Sequence, residues 1–519
     1  MSSYRYVVRV ALTVAMGGFL MGFDASVISG VVRFIESEFD LGKIELGWAV
    51  SSLTLTATLG MMVSGPLSDR VGRRKVLFLA ALLYAVSAVA SALAPTFAIL
   101  VIARMIGGLG VGASLIIAPM YIAEIAPPAH RGRMVSFNQL NIVVGISAAF
   151  FSNYLILRLG QADAGWASSL LLGEHAWRWM LGVETLPAVA YFCGLFFVPE
   201  SPRWLLLEGR DETARRVLAR AVGEAEANAE LAQIRASLAE GAGADKVGWK
   251  ELLAPSMRLV LAIGVVVAIV QQATGINSVF FYAPMIFEQS GIGRDASFAQ
   301  AVLVGLINLV FTVVAMALID RIGRKPLLNL GLAGIALSMF VLAFGFSSAT
   351  YTLAEDDLES LPAEIELAAV ADLGGVTFEN DVAFKRALAD ALGEDGATRH
   401  ESVLISRAIA MNPWLVLAGV LGFVASFAVS LGPVMWVLFS ELFPNRVRGL
   451  AISFVGLINS AVSFGVQLVF PWELANLGSA TTFLIYGLFA AAGLGFVLLV
   501  LPETKGRSLE ELETQLVRR

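Results

Sequence analysis

Three ionisable side chains lie inside long apolar runs of this sequence, where a charge is costly. Asp24, Arg104 and Glu184 each stand in such a run. An ionisable residue in an apolar segment is by default a functional residue that has a partner. A carboxyl group that moves between contact with an arginine and isolated burial binds and releases a proton. The pattern predicts a proton switch, and the alternative is a purely structural buried ion pair.

The composition requires that most of this chain be surrounded by lipid. Of 519 residues, 57% are hydrophobic and 15% are charged, and the mean hydropathy is +0.76. Soluble domains carry about 25% charged residues. A net charge of −6 argues against binding to nucleic acid. One cysteine and three scattered histidines exclude an intrachain disulfide and a zinc site, so we expect no metal and no cofactor.

Twelve apolar runs are long enough to cross a bilayer, which takes roughly 20 residues. None alternates as a β-strand does, so the sequence predicts an all-α membrane protein with twelve transmembrane helices. Arginine and lysine are concentrated in alternate loops, which predicts that these loops and both termini are cytoplasmic. The runs are 9–31, 44–66, 76–94, 97–122, 134–157, 178–198, 258–287, 298–319, 326–347, 412–438, 449–470 and 480–501.

Short charged motifs recur and divide the chain into two halves with one plan. The motif from Asp69 to Arg73 returns 251 residues later, from Asp320 to Arg324, and Glu124 returns 317 residues later as Glu441. Such an internal repeat predicts two six-helix halves. The predicted organisation is a first half at 1–198, a cytoplasmic helical linker at 199–257, a second half at 258–501 and a cytoplasmic tail at 502–519.

The unequal offsets locate an insertion in the second half. It corresponds to 348–411, where 13 acidic residues stand against four basic ones. The predicted orientation makes this insert extracytoplasmic, and glycine stops predict short helices at 363–373 and 381–392. We expect the insert to be a solvated acidic cap. The repeated plan of the two halves is complete without it. A partner or ligand site in the insert is the alternative.

The order and spacing of many short motifs resemble the sugar porters of the major facilitator superfamily. The similarity runs from about residue 10 to residue 512, apart from the acidic insert and a smaller insertion near Leu159–Ala176. The matching motifs are Gly22-Phe23-Asp24, Asp69 to Lys75, Arg104 with Gly107-Gly108, Pro119 to Glu124, Arg131-Gly132, Pro199 to Arg203, Gln271-Gln272 with Gly275 and Asn277, Gly432-Pro433 with Trp436, Ser440 to Pro444, Arg448-Gly449 and Pro502 to Gly506.

The resemblance implies that the proton is the coupling ion. In proton-coupled members, a carboxylate of span 1, an arginine of span 4 and a glutamate of span 6 match Asp24, Arg104 and Glu184. Uncoupled facilitators of the family lack the acid on span 1. The chain is therefore closest in motif to the bacterial sugar–proton symporters.

The resemblance also implies a sugar site made of amides and one aromatic ring. Amides donate and accept hydrogen bonds as sugar hydroxyls do, and an aromatic face covers the apolar side of a sugar. A break at Gly275 would let Asn277 face the same cavity as Gln271. Amides that only join helices are the alternative. The candidates are Gln139, Gln271, Gln272, Asn277, Asn308, Trp436 and Asn459.

The charged motifs on the cytoplasmic side are gate candidates. Their mirrored acids and arginines suggest ion pairs that join the two halves when that face is closed. Surface pairs are worth only about 0–1 kcal/mol each, which suits a gate balanced between two states. Charges that only set topology would explain the arginines but not the acids. The gate candidates are Asp69, Arg70, Arg73, Glu124, Arg131, Glu200, Arg203, Asp320, Arg321, Arg324, Glu441, Arg448 and Glu503.

A few positions bear on the identity of the sugar. Phe281 replaces the first of two tyrosines found in many relatives, while Tyr282 keeps the second. Ser460 stands where glucose facilitators have tryptophan. Ile146 resembles the glucose facilitators, whereas xylose symporters have glutamine there, and it favours a hexose over a pentose.

We therefore predict a proton-coupled symporter for a monosaccharide, a hexose such as glucose or galactose, that works by alternating access. Its partners are a small neutral sugar, protons and membrane lipid, and we expect a monomer in a bacterial inner membrane. The alternatives are an uncoupled facilitator, or a symporter for a pentose or inositol. A sugar sensor is disfavoured because only 17 residues follow Pro502. An enzyme is disfavoured because the sequence carries no nucleophile–base constellation.

Overall fold

The computed structural model describes residues 3–162, 165–242, 248–354, 358, 361, 365, 367–444, 446–505, 507 and 511. Within that part of the chain, eleven helices are long and apolar enough to cross a membrane. The first five predicted spans form continuous helices, which are α1 (Ser3–Glu38), α2 (Lys43–Val71), α3 (Arg73–Ala92), α4 (Phe97–Ile125) and α5 (Arg131–Gly160).

The sixth predicted span is broken in its middle. After the short α6 (Gly165–Ser169), the chain forms α7 (Ala176–Gly182) and α8 (Thr185–Leu195). Pro187 explains the break, because in a continuous helix its ring would clash with the carbonyl group of Val183. The break leaves Glu184 at the junction of the two helices.

The predicted cytoplasmic linker is helical. It contains a helix that the sequence predicts from Asp211 to Ala221 as an amphipathic segment, and that helix buries Val217 and Leu218. The ring nitrogen of Trp204 donates to the carbonyl oxygen of Asp69 at 3.0 Å, which attaches the linker to the end of α2. The linker helices are α9 (Pro202–Leu207), α10 (Asp211–Val222), α11 (Glu224–Ala242) and α12 (Trp249–Leu252).

The seventh predicted span is interrupted at the predicted glycine. It consists of α13 (Arg258–Ala273), α14 (Ile276–Phe281) and α15 (Ala283–Glu288). Gly275 has φ +85, in the left-handed region, where a residue with a Cβ is strained. A Cβ at this position would also overlap the ring of Tyr486. The next two spans are the continuous helices α16 (Arg294–Ile322) and α17 (Arg324–Ser347).

The acidic insert is a small folded layer with its own core. Its strands are β1 (Thr350–Thr352), β2 (Thr377–Phe378) and β3 (Ile409–Ala410), and its helices are α18 (Leu367–Val370) and α19 (Asp381–Ala408). The strands pair antiparallel in the order β2-β1-β3. The rings of Tyr351 and Phe384 stack with centroids 5.6 Å apart, and both are buried with Leu404.

The two helices predicted in the insert are present in altered form. Residues 363, 364 and 366, in the first of them, lie outside the described part, and α18 is followed by a single 3₁₀ turn, Ala371–Leu373. The second predicted helix does end at Gly393, which has a non-helical conformation, but the chain resumes as a helix after it. The added turns of α19 contribute Leu404 and Ile405 to the core of the insert.

The remaining helices complete the twelve predicted spans. The tenth span is broken at Ser430, four residues after Ser426. Pro433 stands three residues after the break, and its ring disfavours a continuous helix. The sequence predicts this kink at Gly432-Pro433, close to its position in the structure. The last helices are α20 (Pro413–Val429), α21 (Leu431–Leu442), α22 (Arg448–Asn476) and α23 (Ser479–Val500), and further 3₁₀ turns are Pro128–His130 and Pro255–Met257.

The chain divides into two compact units that differ from the predicted halves. Unit 1 comprises Met1–Val27, Ser52–Ala149 and Arg178–Gly248, and unit 2 comprises Ile28–Ser51, Phe150–Trp177 and Trp249–Arg519. One end of each of α1, α2 and α5 therefore belongs to the unit that holds the second half of the sequence. The predicted domain boundaries, which rest on the repeat, stay a prediction.

Candidate functional site

The three ionisable residues predicted to handle protons are all buried in unit 1. Asp24 is 2% exposed, Arg104 1% and Glu184 3%. A guanidinium nitrogen of Arg104 lies 3.5 Å from Oδ1 of Asp24, which joins α1 to α4. Glu184 is within electrostatic range of both residues. The structure thus brings together side chains that are 80 residues apart or more in the sequence.

Two carboxylate oxygens of this trio have no hydrogen-bond partner among the described residues. They are Oδ2 of Asp24 and Oε1 of Glu184, both inaccessible to solvent. A buried polar atom without a partner costs about 1–3 kcal/mol, and a charged one costs more. Two carboxylates and one guanidinium carry a net charge of −1 when all are ionised, and one added proton makes the trio neutral. The arrangement is therefore suited to hold one exchangeable proton.

Gly107 makes room for Asp24 against α4. A Cβ on Gly107 would lie 2.7 Å from Oδ2 of Asp24 and 2.5 Å from Oγ of Ser87. Both distances are shorter than a real Cβ contact, so a larger residue would displace the carboxylate. The absence of a side chain at position 107 thus lets Asp24 approach α4 within reach of Arg104.

The predicted amides of spans 7 and 11 form one hydrogen-bonded network in unit 2. Nδ2 of Asn459 donates to Oε1 of Gln271 at 2.6 Å, and Nε2 of Gln272 donates to the same oxygen at 3.0 Å. Nε2 of Gln272 also lies 3.2 Å from Oδ1 of Asn459. Asn277 donates to Oε1 of Gln272 at 3.0 Å. The break at Gly275 does bring Asn277 to the side of the helix that carries the glutamines.

Two further members of this network were not predicted from the sequence. Nδ2 of Asn277 donates to Oγ of Ser463 at 2.7 Å, and Nε2 of Gln467 donates to the same hydroxyl at 2.7 Å. Asn459, Ser463 and Gln467 are spaced four residues apart, so they form one polar stripe along α22. That spacing was visible in the sequence and could have identified them.

The other predicted sugar contacts are dispersed. Asn308 is 5% exposed within α16, and Trp436 is 45% exposed on α21, edge-on to Phe439. Gln139 is exposed on α5 in unit 1. Phe281 is buried where relatives have tyrosine, and the hydroxyl of Tyr282 donates to the carbonyl oxygen of Gln467 at 3.2 Å. Tyr282 is thus connected to the polar stripe of α22.

The first set of gate candidates forms a cluster inside unit 1. Arg73 donates to both carboxylate oxygens of Glu124, each at 3.2 Å, and pairs with Asp69 at 2.9 Å. The hydroxyl of Ser201 also contacts Glu124. Glu200 accepts from the backbone N–H of Arg74 at 3.1 Å. The charges of this motif therefore bind the ends of α2, α3 and α4 to the chain that follows α8.

The second set repeats that geometry inside unit 2. Arg324 donates to Glu441 at 2.7 Å and 3.1 Å, and the hydroxyl of Thr504 donates to Glu441 at 2.6 Å. Glu503 accepts from the backbone N–H groups of Arg324 and Lys325, each at 3.1 Å. Thr504 occupies the place that Ser201 has in unit 1. The repeat inferred from sequence offsets is thus also a repeat of hydrogen bonds.

The remaining gate candidates are less tightly held. Arg131 lies 3.7 Å from Glu230, and Arg448 donates to the carbonyl oxygen of Phe443 at 3.1 Å. Arg70, Arg203 and Arg321 are exposed, and the side chain of Asp320 lies outside the described part of the structure. The ion pairs of the gate candidates each lie within one compact unit, and pairing across the two halves stays a prediction.

Comparison with known proteins identifies the family. The sequence model described as "Sugar (and other) transporter" matches residues 10–356 and 402–516. The unmatched residues between these ranges lie in the insert. This match covers well over half of the chain. The part of α19 up to Glu401 lies outside the matched residues.

Individual relatives agree with the family match. The arabinose-proton symporter of Bacillus subtilis (strain 168) is 35% identical over 513 residues, which cover 98% of this chain and 95% of that protein. Glucose transporter GlcP of Staphylococcus epidermidis is 33% identical over 502 residues, 97% of this chain and 95% of that protein. The solved inward open conformation of the xylose transporter XylE from E. coli has a TM-score of 0.75 and 31% identity, covering 98% of this chain and 100% of that chain.

These matches confirm the predicted fold class, with twelve transmembrane helices arranged as in the major facilitator superfamily, and they make this protein a multi-pass membrane transporter. The residues that carry the resemblance in the sequence are also those that meet in the buried trio, the amide network and the two charge clusters. The chain belongs to the sugar transporter family of the major facilitator superfamily.

Proposed function

We propose that this protein is a proton-coupled monosaccharide symporter that works by alternating access. The observation that carries the proposal is the buried ion pair of Asp24 and Arg104 with Glu184 nearby. A buried ion pair in an apolar bundle contributes little net stability and is costly when one partner is removed. Its retention is better explained by a proton that enters and leaves during transport.

The coupling step follows from the charge of the trio. When Asp24 is ionised, it holds Arg104 and joins α1 to α4. When Asp24 takes up a proton, the attraction ends and the two helices can separate. The similarity to an arabinose-proton symporter supports this assignment.

The amide network is the proposed sugar site. Gln271, Gln272, Asn277 and Asn459 now satisfy one another, and they can exchange these hydrogen bonds for sugar hydroxyls at small net cost. Ser463 and Gln467 extend the same polar surface. Trp436 supplies the aromatic face, and Gln139 and Asn308 are further contacts in this proposal.

A hexose such as glucose or galactose is the proposed substrate. Ile146 supports it, because an apolar side chain stands where xylose symporters have an amide. Relatives are named for arabinose, glucose and xylose, so a pentose is the competing substrate. We further propose a monomer in a bacterial inner membrane, surrounded by lipid, with both termini cytoplasmic.

Uptake by reconstituted protein tests the proposal. Proteoliposomes with an imposed inward proton gradient should concentrate labelled glucose, and a protonophore should abolish the accumulation. Equilibration without accumulation, at a rate that the protonophore leaves unchanged, would identify an uncoupled facilitator. Competition by a panel of hexoses, pentoses and inositol against labelled glucose then ranks the substrates.

A further inference from the structure

A second buried cluster of charges lies in unit 2, away from the sites described above. Arg33 pairs with Glu36 at 3.1 Å and with Glu288 at 3.2 Å. Lys43 pairs with Glu36 at 2.6 Å. The set, here named the Glu401 cluster, consists of Arg33, Glu36, Lys43, Glu288, Lys385 and Glu401.

Glu401 is the hub of this cluster. Its carboxylate lies 3.4 Å from Lys43, 3.8 Å from Arg33 and 3.7 Å from Lys385, and it accepts a hydrogen bond from Gln289 at 2.8 Å. It therefore contacts α1, α2 and the chain that follows α15, although it belongs to the insert.

The cluster is largely buried, and its charges nearly cancel. The exposed fraction is 1% for the side chain of Glu288, 2% for Glu36, 9% for Glu401 and 23% for Lys43. Three cations face three carboxylates, and Asp381 adds a fourth acid 3.6 Å from Lys385. Such pairs depend on their partners, because removal of one charge leaves its opposite buried and unpaired.

The cluster stands at the end of the helices opposite the charged motifs shared by the two halves. Lys43 begins α2 and Asp69 lies near its other end, so the helix separates them by about 40 Å at a rise of 1.5 Å per residue. α1 and α2 come from the first half of the repeat, whereas α15 and the insert come from the second. The cluster thus joins helix ends from both halves of the repeat within unit 2, at the end of these helices that is here named the mouth.

The insert is firmly anchored where it contributes to the cluster. Oδ2 of Asp381 accepts from the backbone N–H and the hydroxyl of Ser479, at 2.9 Å and 3.0 Å, which attaches α19 to the start of α23. The nitrogen of Lys385 lies 3.5 Å from the carbonyl oxygen of Leu474. The helix that carries Glu401 is therefore held in place by these contacts. The insert was expected to be a solvated cap, but one side of it forms buried ion pairs.

We propose that the Glu401 cluster is a lock that holds this mouth closed, and that Glu401 is a positioning residue of the transport cycle that acts through Arg33 and Lys43. The inference rests on the proposed alternating access, which requires this mouth to open once per cycle. Opening separates α1 and α2 from α15 and the insert, and that movement breaks the contacts of Glu401. Glu401 itself lies outside the residues that the family model matches, which resume at 402, whereas its partners Arg33 and Lys43 lie within them.

Distance measurement between spin labels tests the lock in the full-length protein. Labels at Ser37, at the end of α1, and at Leu477, between α22 and α23, report the width of this mouth; Cys193 is replaced by serine to remove the native thiol. Glu401→Gln keeps the acceptor for Gln289 but removes the charge. We expect it to raise the ratio of long to short distances at least tenfold, whereas Glu379→Gln, which removes an exposed charge of the insert, leaves the ratio unchanged.

Two further variants separate a lock from a merely structural role. Lys43→Gln removes the positive charge that α2 contributes to the cluster, and it should widen the mouth as Glu401→Gln does. Glu401→Asp keeps the negative charge that faces Arg33, Lys43 and Lys385 and should retain most of the short distances, which a variant that damages the fold would not do. In uptake assays, Glu401→Gln should lower KM for external sugar and lower kcat, because the open mouth is favoured and its closure slows.

The outcomes are distinct for the two proposals. Unchanged distance distributions in Glu401→Gln and Lys43→Gln would overturn the lock. The distances are measured without sugar or a proton gradient, so a failure of the unsubstituted protein to transport sugar would overturn the proposed function while the lock is judged on the distances alone.

Discussion

The guanidinium group of Arg104 lies 3.5 Å from the carboxylate of Asp24, and neither side chain is more than 3% exposed. The contact joins α1 to α4 inside unit 1, with Glu184 within electrostatic range of both groups. The second oxygen of Asp24 has no hydrogen-bond partner among the described residues. A proton on this carboxyl group removes a buried charge and releases the arginine, which is the property that coupled transport requires.

Asp24→Asn should abolish accumulation of sugar driven by a proton gradient but preserve sugar binding and exchange. The amide resembles a permanently protonated carboxyl group in shape and charge. Counterflow and gradient-driven uptake in proteoliposomes measure the two activities separately. Asp40→Asn is a matched control, because Asp40 is exposed and its φ of +51 is tolerated by asparagine. A variant at Asp24 that still concentrates sugar would contradict the coupling assignment.

Gln272→Ala and Asn277→Ala should each weaken sugar binding by about 1–3 kcal/mol, because hydroxyls of the bound sugar lose their amide partner. Ser463→Ala should weaken it as well, by about 0.5–1.5 kcal/mol, since Ser463 orients both Asn277 and Gln467.

Calorimetry with the purified variants measures these changes in affinity. Asn476→Ala, which removes an exposed amide at the end of the same helix α22, should leave the affinity unchanged. Unaltered affinity in both Gln272→Ala and Asn277→Ala would make the network a structural contact between helices.

Gly275→Ala should lower the thermal stability and the sugar affinity together. The alanine must adopt a left-handed conformation, which costs about 1–2 kcal/mol, and its Cβ must displace Tyr486. The displacement shifts α14 and with it Asn277. Gly465→Ala provides the comparison, because Gly465 lies within α22 with no atom near its missing Cβ, and there alanine should be neutral or slightly stabilising. Equal melting temperatures for the two variants would contradict the strained break.

The effect of Glu401→Gln on the label distances should not depend on pH between about 8 and 5. Burial by itself raises the pKa of Glu401, but the charges of Lys43, Arg33 and Lys385 outweigh burial and hold that pKa well below its ordinary value. A carboxylate with a lowered pKa contributes its full stability above the unfolded pKa of about 4.3 and loses it only as the pH falls through the folded value.

Distances recorded across this pH range for the wild type and for Glu401→Gln check the expectation. If the expectation holds, Glu401 stays ionised in the acidic medium that drives proton uptake. Proton binding at Asp24 and opening of the lock are then separate events. If the difference between the two proteins shrinks as the pH falls from 8 to 5, Glu401 is protonated in that range and the lock itself responds to pH.

The spans, the repeat and the buried trio could all be predicted from the sequence. Hydropathy and charge spacing are properties of the linear chain, and lipid permits few alternatives to helices once an apolar run is long enough. Gly275 and the kink near Pro433 were also predictable, because each acts through the local backbone. The break at Glu184 follows from Pro187 by the same reasoning, although the sequence analysis treated that span as continuous.

Only the tertiary structure decided which polar groups meet. Lys43 and Glu401 are 358 residues apart, and no repeat offset or family motif relates them, because the insert has no counterpart in the first half. The insert has an acidic composition that predicts solvation, yet Glu401 is buried and pairs with two cations from distant segments, Arg33 and Lys43. The spacing of Ser463 and Gln467 is visible in the sequence, but their connection to Asn277 depends on the packing of two helices. Composition determines which groups must find partners, whereas packing in three dimensions determines which partners they find.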